Sequence, residues 1–479
     1  MEHRRAQHAG NPPGDPVAGT PRRAGQAPAS RRAAWAGALL VAAIVAVVYV
    51  VYAAWQWREF AVRSWDLGIF TQLLQNYARL QAPIVTIKGE GYHLLGDHFH
   101  PLLVVFAPVY ALFPSAFTLL VIQAACFAVA AGVLTRSAIR LLGSTMNGVL
   151  LGLAFGLSWG LQYAAEAQFH EIALAVPILT VALCALVEER WRTAALWAGL
   201  LVFVKEDLGL TVLVFGLLLA WVGRRWLGLW LAVWGLAWFL IATLVVLPSL
   251  NPGGSWAYAG EADPGSLFAD PAALFDPAKG HTLLLLVVIT GGLMLRSPVA
   301  LVLLPTLAWR FVSSNSGHWG PAWHYSAVLM PIAFAALLDA MRRGPQLPWR
   351  GLRRYAALGA VMAIVVAAVL APTLPLRSLL SPSAWDEPAR AGAARAVLAQ
   401  VPAGAVVETD VGLMSYLVDA HPVYWIGNKN PVPGCVLIDR IAGGTPTEWG
   451  GALDVAEILH PGVGYTMVAV ESGYELACR

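Results

Sequence analysis

"LGDHFHPLLVVFAPVYALFPSAFTLLVIQA", residues 95–124, sets Asp97, His98 and His100 directly against a long apolar run. Prolines at 101, 108 and 114 divide that run. The part from Pro101 to Phe113 is amphipathic and broken, so it reads as an interfacial segment. From about Ser115 the apolar residues continue long enough to cross a bilayer. A polar cluster, an interfacial segment and a span in that order place ionisable groups at a membrane surface. A solvated turn between hydrophobic segments is the competing reading of the same residues, His93 included.

Composition favours the membrane. The 479 residues are 58% hydrophobic and 12% charged, with a mean hydropathy of +0.64. A soluble chain carries about a quarter charged residues. The formal charge of +3 gives no reason to expect nucleic acid. Hydropathy predicts an α-helical polytopic protein with about eleven spans, near 33–54, 115–135, 146–163, 172–187, 193–204, 208–222, 227–248, 281–295, 298–312, 324–341 and 355–371. Residues 1–32, rich in Pro, Gly, Ala and Arg, have little to bury and read as a disordered cytoplasmic tail. Residues 33–371 form the membrane domain, with a long first outer loop at 56–114.

Charge gives the orientation. With the N-terminus inside, eighteen Arg residues up to 354 lie on the inner side, against seven Lys and Arg on the outer side. That follows the positive-inside rule of a plasma-membrane protein. Arg190 and Arg192 before one short segment, and Arg224 and Arg225 after the next, favour a hairpin with Lys205, Glu206 and Asp207 at its outer tip. The same orientation carries Asp66, Asp97, Glu166, Glu171 and the conspicuous histidines outside.

After about Pro372 the pattern changes. "AVVETD", "PVYWIG", "GCVLID" and "YTMVAVE" read as strands, and "DEPARAGAARAVLAQV", "VGLMSYLVD" and "ALDVAEILH" as helices between them. Residues 372–479 are therefore expected to form a small extracytoplasmic α/β domain. Its Cys435 and Cys478 are open to pairing or to remaining free thiols, while Cys126 and Cys184 lie inside apolar spans.

The candidate residues follow from sidedness. Asp66, in "RSWDLGIFTQLL", opens an amphipathic pattern, either as a helix cap or as a boundary carboxylate able to take a proton from a hydroxyl. Asp97, His98 and His100 are candidate ligands for a divalent metal ion, or hydrogen-bonding groups for a phosphate or sugar. Glu166 and His170 are spaced to share a helix face. Lys205 meets either its acidic neighbours or a lipid phosphate. His318, His324 and Tyr325 sit beside Trp319 and Trp323, and Arg310 is placed for a phosphate.

"WDLGIFTQLL", "LGDHFHPLLVVFAPVYALFPSAFTLLVIQA", "FHEIALAVPILTVAL", "VKEDLGL" and "HYSAVLMPIAF" resemble a bacterial family of predicted integral membrane proteins, domain of unknown function family 2079. More loosely, a long first loop with an early acid and a Pro-led interfacial helix before the second span is similar to the GT-C glycosyltransferases, polytopic enzymes that use polyprenyl-phosphate sugars. That resemblance implies a GT-C-like fold in which Asp66 is the first-loop acid and general base. It implies that His98, His100, His170, Lys205, Arg310, His324 and Tyr325 surround sugar and phosphate. The partners implied are a membrane lipid, a polyprenyl-phosphate sugar donor, and a glycan, lipid or protein acceptor in the cell envelope. Asp66 is followed by Leu67, where many members carry an acidic pair. The alternatives are a transporter or lipid-handling protein without covalent chemistry, in which residues 205–207 form an ion path, and a receptor presenting the C-terminal domain.

Overall fold

The computed structural model describes residues 30–62, 64–261 and 275–479. The tail expected to be disordered lies outside them except for Ser30–Arg32. Ser30 caps the first helix, Arg31–Arg58, its Oγ accepting the Ala33 N–H at 3.1 Å. At 28 residues this helix reaches about 40 Å, enough to cross a bilayer.

Among the described residues, five helices are long and apolar enough to span: Arg31–Arg58, Ala116–Leu142, Thr145–Glu166, Arg225–Leu250 and His324–Gln346. The pair Arg350–Ala357 and Gly359–Thr373, bent by 54°, makes a sixth if taken as one span. The other apolar segments are shorter helices: Ile172–Val187, Trp191–Phe203, Leu208–Trp221, Pro277–Ile289 and Pro298–Val312. Pro101–Leu112, expected at the interface, is also a short helix, with Pro101 opening its first turn. Trp191–Phe203 and Leu208–Trp221 are separate elements, broken at residues 204–207.

Small residues let the helices close. Lipid is as apolar as leucine, so helices in a bilayer associate through close packing rather than hydrophobic exclusion. A Cβ on Gly132 would stand 3.2 Å from the Ala38 carbonyl oxygen across the first helix pair. One on Gly209 would stand 2.7 Å from the Gly235 oxygen.

Residues beyond the last helix pair build a five-stranded sheet in the order β2-β1-β3-β5-β4. Its strands are β1 (Val407–Thr409), β2 (Val423–Trp425), β3 (Cys435–Asp439), β4 (Thr466–Glu471) and β5 (Tyr474–Cys478). β1 runs parallel to β2 and β3, and β5 runs antiparallel to β3 and β4. Sequence patterning locates four of these strands and misses β5. A two-residue turn at Ser472 and Gly473, both at positive φ, joins β4 to β5. Cys435 and Cys478 face each other across β3 and β5 and form a disulfide. The pairing left open by sequence is thus decided by strand register.

Candidate functional site

The loop after the first helix folds back as a second helix, Asp66–Ala78, whose first residue is Asp66. Ser64 Oγ donates to Asp66 Oδ2 at 2.9 Å. The helix buries Leu67, Phe70, Leu73 and Leu74, which fixes its N-terminus and holds the Asp66 carboxylate where the helix dipole favours an anion. Asp66 faces a cavity of about 390 Å³, shared with Lys88, Asp97, His98, His100, His170, Lys205, His324 and Tyr325.

One wall is knit from the 93–100 turn and the break at 204–207. Glu206 is 2% exposed. Its Oε1 lies 2.7 Å from His98 Nδ1, and its Oε2 accepts the Phe99 N–H at 2.9 Å. Burial and the Lys205 charge work against protonating His98, but Glu206 and Asp97 outweigh them and raise its pKa above the ordinary value. Tyr258 stacks on the His98 ring at 4.4 Å. Asp97 takes Lys88 at 3.1 Å and the Tyr92 hydroxyl at 3.1 Å. Burial alone would raise the Asp97 carboxyl, yet the charges of His98 and Lys88 and the bonds from Lys88 and Tyr92 hold it below its usual range. His100 is 1% exposed, and burial pushes it down to about 4. It is therefore a neutral imidazole at physiological pH.

A second part of the lining, adjoining the first through Lys205 and Phe70, joins residues far apart in sequence. His170 and His324 stack with ring centroids 3.4 Å apart. His170 Nδ1 lies 2.8 Å from Glu171 Oε2, and Glu171 Oε1 accepts Lys205 Nζ at 2.8 Å. Lys205 is thus paired with Glu171 rather than with its chain neighbours. Among the described residues, the group of His, Cys, Asp and Glu near enough to share an ion is Asp66, His170 and His324. Of the candidate ligands Asp97, His98 and His100, Asp97 pairs with Lys88, His98 with Glu206, and His100 lines the cavity as a buried imidazole.

Two further expectations are corrected. The helix carrying Glu166 ends there, and Gln168 turns the chain at φ +70°, so Glu166 and His170 share no helix face. Arg310, expected to meet a phosphate, is 0% exposed and absent from the cavity wall. Its Nε donates to the His318 carbonyl at 2.7 Å, Nη2 to Gly320 at 2.6 Å and Nη1 to Ser326 Oγ at 3.2 Å. Arg310 braces the 313–326 loop. Lys88, Trp256, Tyr258 and Glu261, absent from the candidates that the sequence offers, also line the cavity. Aromatics among glycines in "NPGGSWAYAGE" were the available signal.

The family described as "Predicted membrane protein (DUF2079)" matches residues 58–473. The chain belongs to that family. No curated protein matches this DUF2079 protein by sequence. Its fold is similar to the crystal structure of ArnT from Cupriavidus metallidurans bound to undecaprenyl phosphate, at a TM-score of 0.51 and 16% identity, over 91% of this chain and 97% of that one. At that identity the likeness is one of fold: this is a membrane protein of GT-C-like architecture.

Proposed function

We propose that this DUF2079 protein is a glycosyltransferase that moves a sugar from a polyprenyl phosphate to an acceptor hydroxyl on the extracytoplasmic side, with inversion. The observation that carries the reading is a single cavity, in a GT-C-like fold, that gathers Asp66, buried imidazoles and two lysines from five separate stretches of chain. The positive-inside charge pattern supports a cytoplasmic N-terminus and an extracytoplasmic domain at 372–479. The ArnT structure holds undecaprenyl phosphate, which supports a polyprenyl-phosphate lipid as the donor class.

On this reading the donor's tail lies against apolar helices and its phosphate enters the cavity. Asp66 removes the acceptor proton. The acceptor oxygen bonds to the anomeric carbon while the bond from that carbon to the phosphate oxygen breaks, and the phosphate leaves with the electron pair from the opposite face. Lys88 and Lys205 oppose the charge that develops on it. His98, His100 and Tyr325 hydrogen-bond the sugar.

The test is protein reconstituted in liposomes with a panel of polyprenyl-phosphate sugars. Wild type should release polyprenyl phosphate from one donor, and Asp66→Asn should be slower by about 100-fold or more, the loss expected of a general base. Equal turnover by the variant, or no release from any donor, overturns the reading.

A further inference from the structure

The cavity is poorly matched to a phosphate as it stands. Its wall carries the carboxylates of Asp66, Asp97, Glu206, Asp207 and Glu261, and the ammonium groups of Lys88 and Lys205. Both lysines are already paired, with Asp97 at 3.1 Å and Glu171 at 2.8 Å. Even with His98 charged against Glu206, acid is in excess, and an entering anion is repelled. A further cation would reverse that.

The donors for one are present. Asp66, His170 and His324 each offer a ligand atom, and these atoms lie within 4.8 Å of one another. His324 is 7% exposed, lines the cavity, and has no hydrogen-bond partner at either ring nitrogen. A buried polar ring left so is costly unless something binds it. His170 is backed differently: with Nδ1 against Glu171, its Nε2 remains for a ligand. A carboxylate behind an imidazole is the usual way a metal-bound histidine is oriented. Two histidines and one carboxylate are a zinc-type donor set with a fourth position open.

We propose that Asp66, His170 and His324 bind one divalent transition-metal ion of the zinc class, with its open position facing the cavity to take an anionic oxygen of the substrate phosphate. The ion stands independently of the glycosyl-transfer reading, and its phosphate ligand rests on that reading. Bonds of about 2.1 Å draw the donors to about 3.4 Å from one another, so the two stacked rings turn out of parallel on binding. Asp66 holds the ion through one oxygen and keeps the other for the acceptor proton.

The experiment uses full-length protein in nanodiscs, stripped with chelator and titrated with Co²⁺, then Zn²⁺. One ion per chain and intense ligand-field bands of low-coordinate Co²⁺, displaced by Zn²⁺, are expected. His170→Ala and His324→Ala should abolish the bands, and Glu171→Gln should weaken binding about 10–100-fold. His324→Cys should add a sulfur-to-cobalt charge-transfer band, a signal that a misfolded variant does not give. Absent bands in wild type, bands that persist in both alanine variants, or loss in Asp97→Asn but not in His324→Ala each overturn the site. Undecaprenyl phosphate should shift the bands of the cobalt form. An ion that binds normally while the lipid leaves its bands unmoved overturns the phosphate reading and leaves the metal site standing.

Discussion

Lys205, Glu206 and Asp207 are consecutive, yet they face different surroundings. Lys205 reaches Glu171, Glu206 takes His98 and the Phe99 N–H, and Asp207 has an Oδ1 with no hydrogen-bond partner. The triplet lies in the break between Trp191–Phe203 and Leu208–Trp221, so its side chains leave the chain in different directions and each takes its surroundings from other segments. Asp207 bears the cost. Burial pushes its carboxyl up to about 6, against the opposing Lys205 charge. In the unfolded chain the same group ionises near pH ~3.9. Between those values the folded state holds more protons than the unfolded one, so this group's contribution to stability falls as pH rises. Asp207→Asn should match wild type in thermal unfolding below about pH 4 and exceed it above about pH 7. A stability difference that is flat across that range, or greatest in acid, would remove the argument.

At the scale of elements, the helix that follows the triplet is packed against its neighbour through glycine. Gly209 and Gly216 on Leu208–Trp221 meet Gly235 and Gly228 on Arg225–Ile241, backbone against backbone. Each pair is spaced by seven residues, which returns to the same helix face after two turns. The spacing is visible in sequence, but nothing in sequence says which helices it joins. Gly209→Leu should destabilise by about 1–3 kcal/mol through overpacking. Because residues 205–207 lie just ahead of it, the same change should also lower the proposed sugar transfer. Val233→Leu, on the exposed side of the second helix, should alter neither. Differential scanning fluorimetry and the liposome assay read both effects, and an unaltered Gly209→Leu protein would show that the close approach is dispensable.

For the whole molecule, the α/β domain acts as a clamp on the loop that presents Asp66. Gln72 Nε2 and Thr86 Oγ1 both donate to the Val423 carbonyl, at 3.2 and 2.7 Å. Trp65, beside Asp66, packs edge-on against Trp425 at 4.5 Å. Asp419 accepts the Ala116 N–H at 3.0 Å, capping the second long helix from outside its own segment. Asp419→Ala should cost about 1 kcal/mol, as other lost helix caps do, and raise hydrogen exchange in residues 59–115. Exchange confined to the α/β domain itself would show that the domain does not clamp the loop. Membrane class, helix positions, most of the strands and the alternation of the last hundred or so residues were determined by sequence, because hydropathy and periodicity are local. Tertiary structure decided which polar groups meet. His170 and His324 stack although 154 positions separate their numbers, Lys205 finds Glu171, and Arg310 turns inward to carbonyls. A buried charge takes the partner that packing brings near, and that choice is not written in the residues beside it.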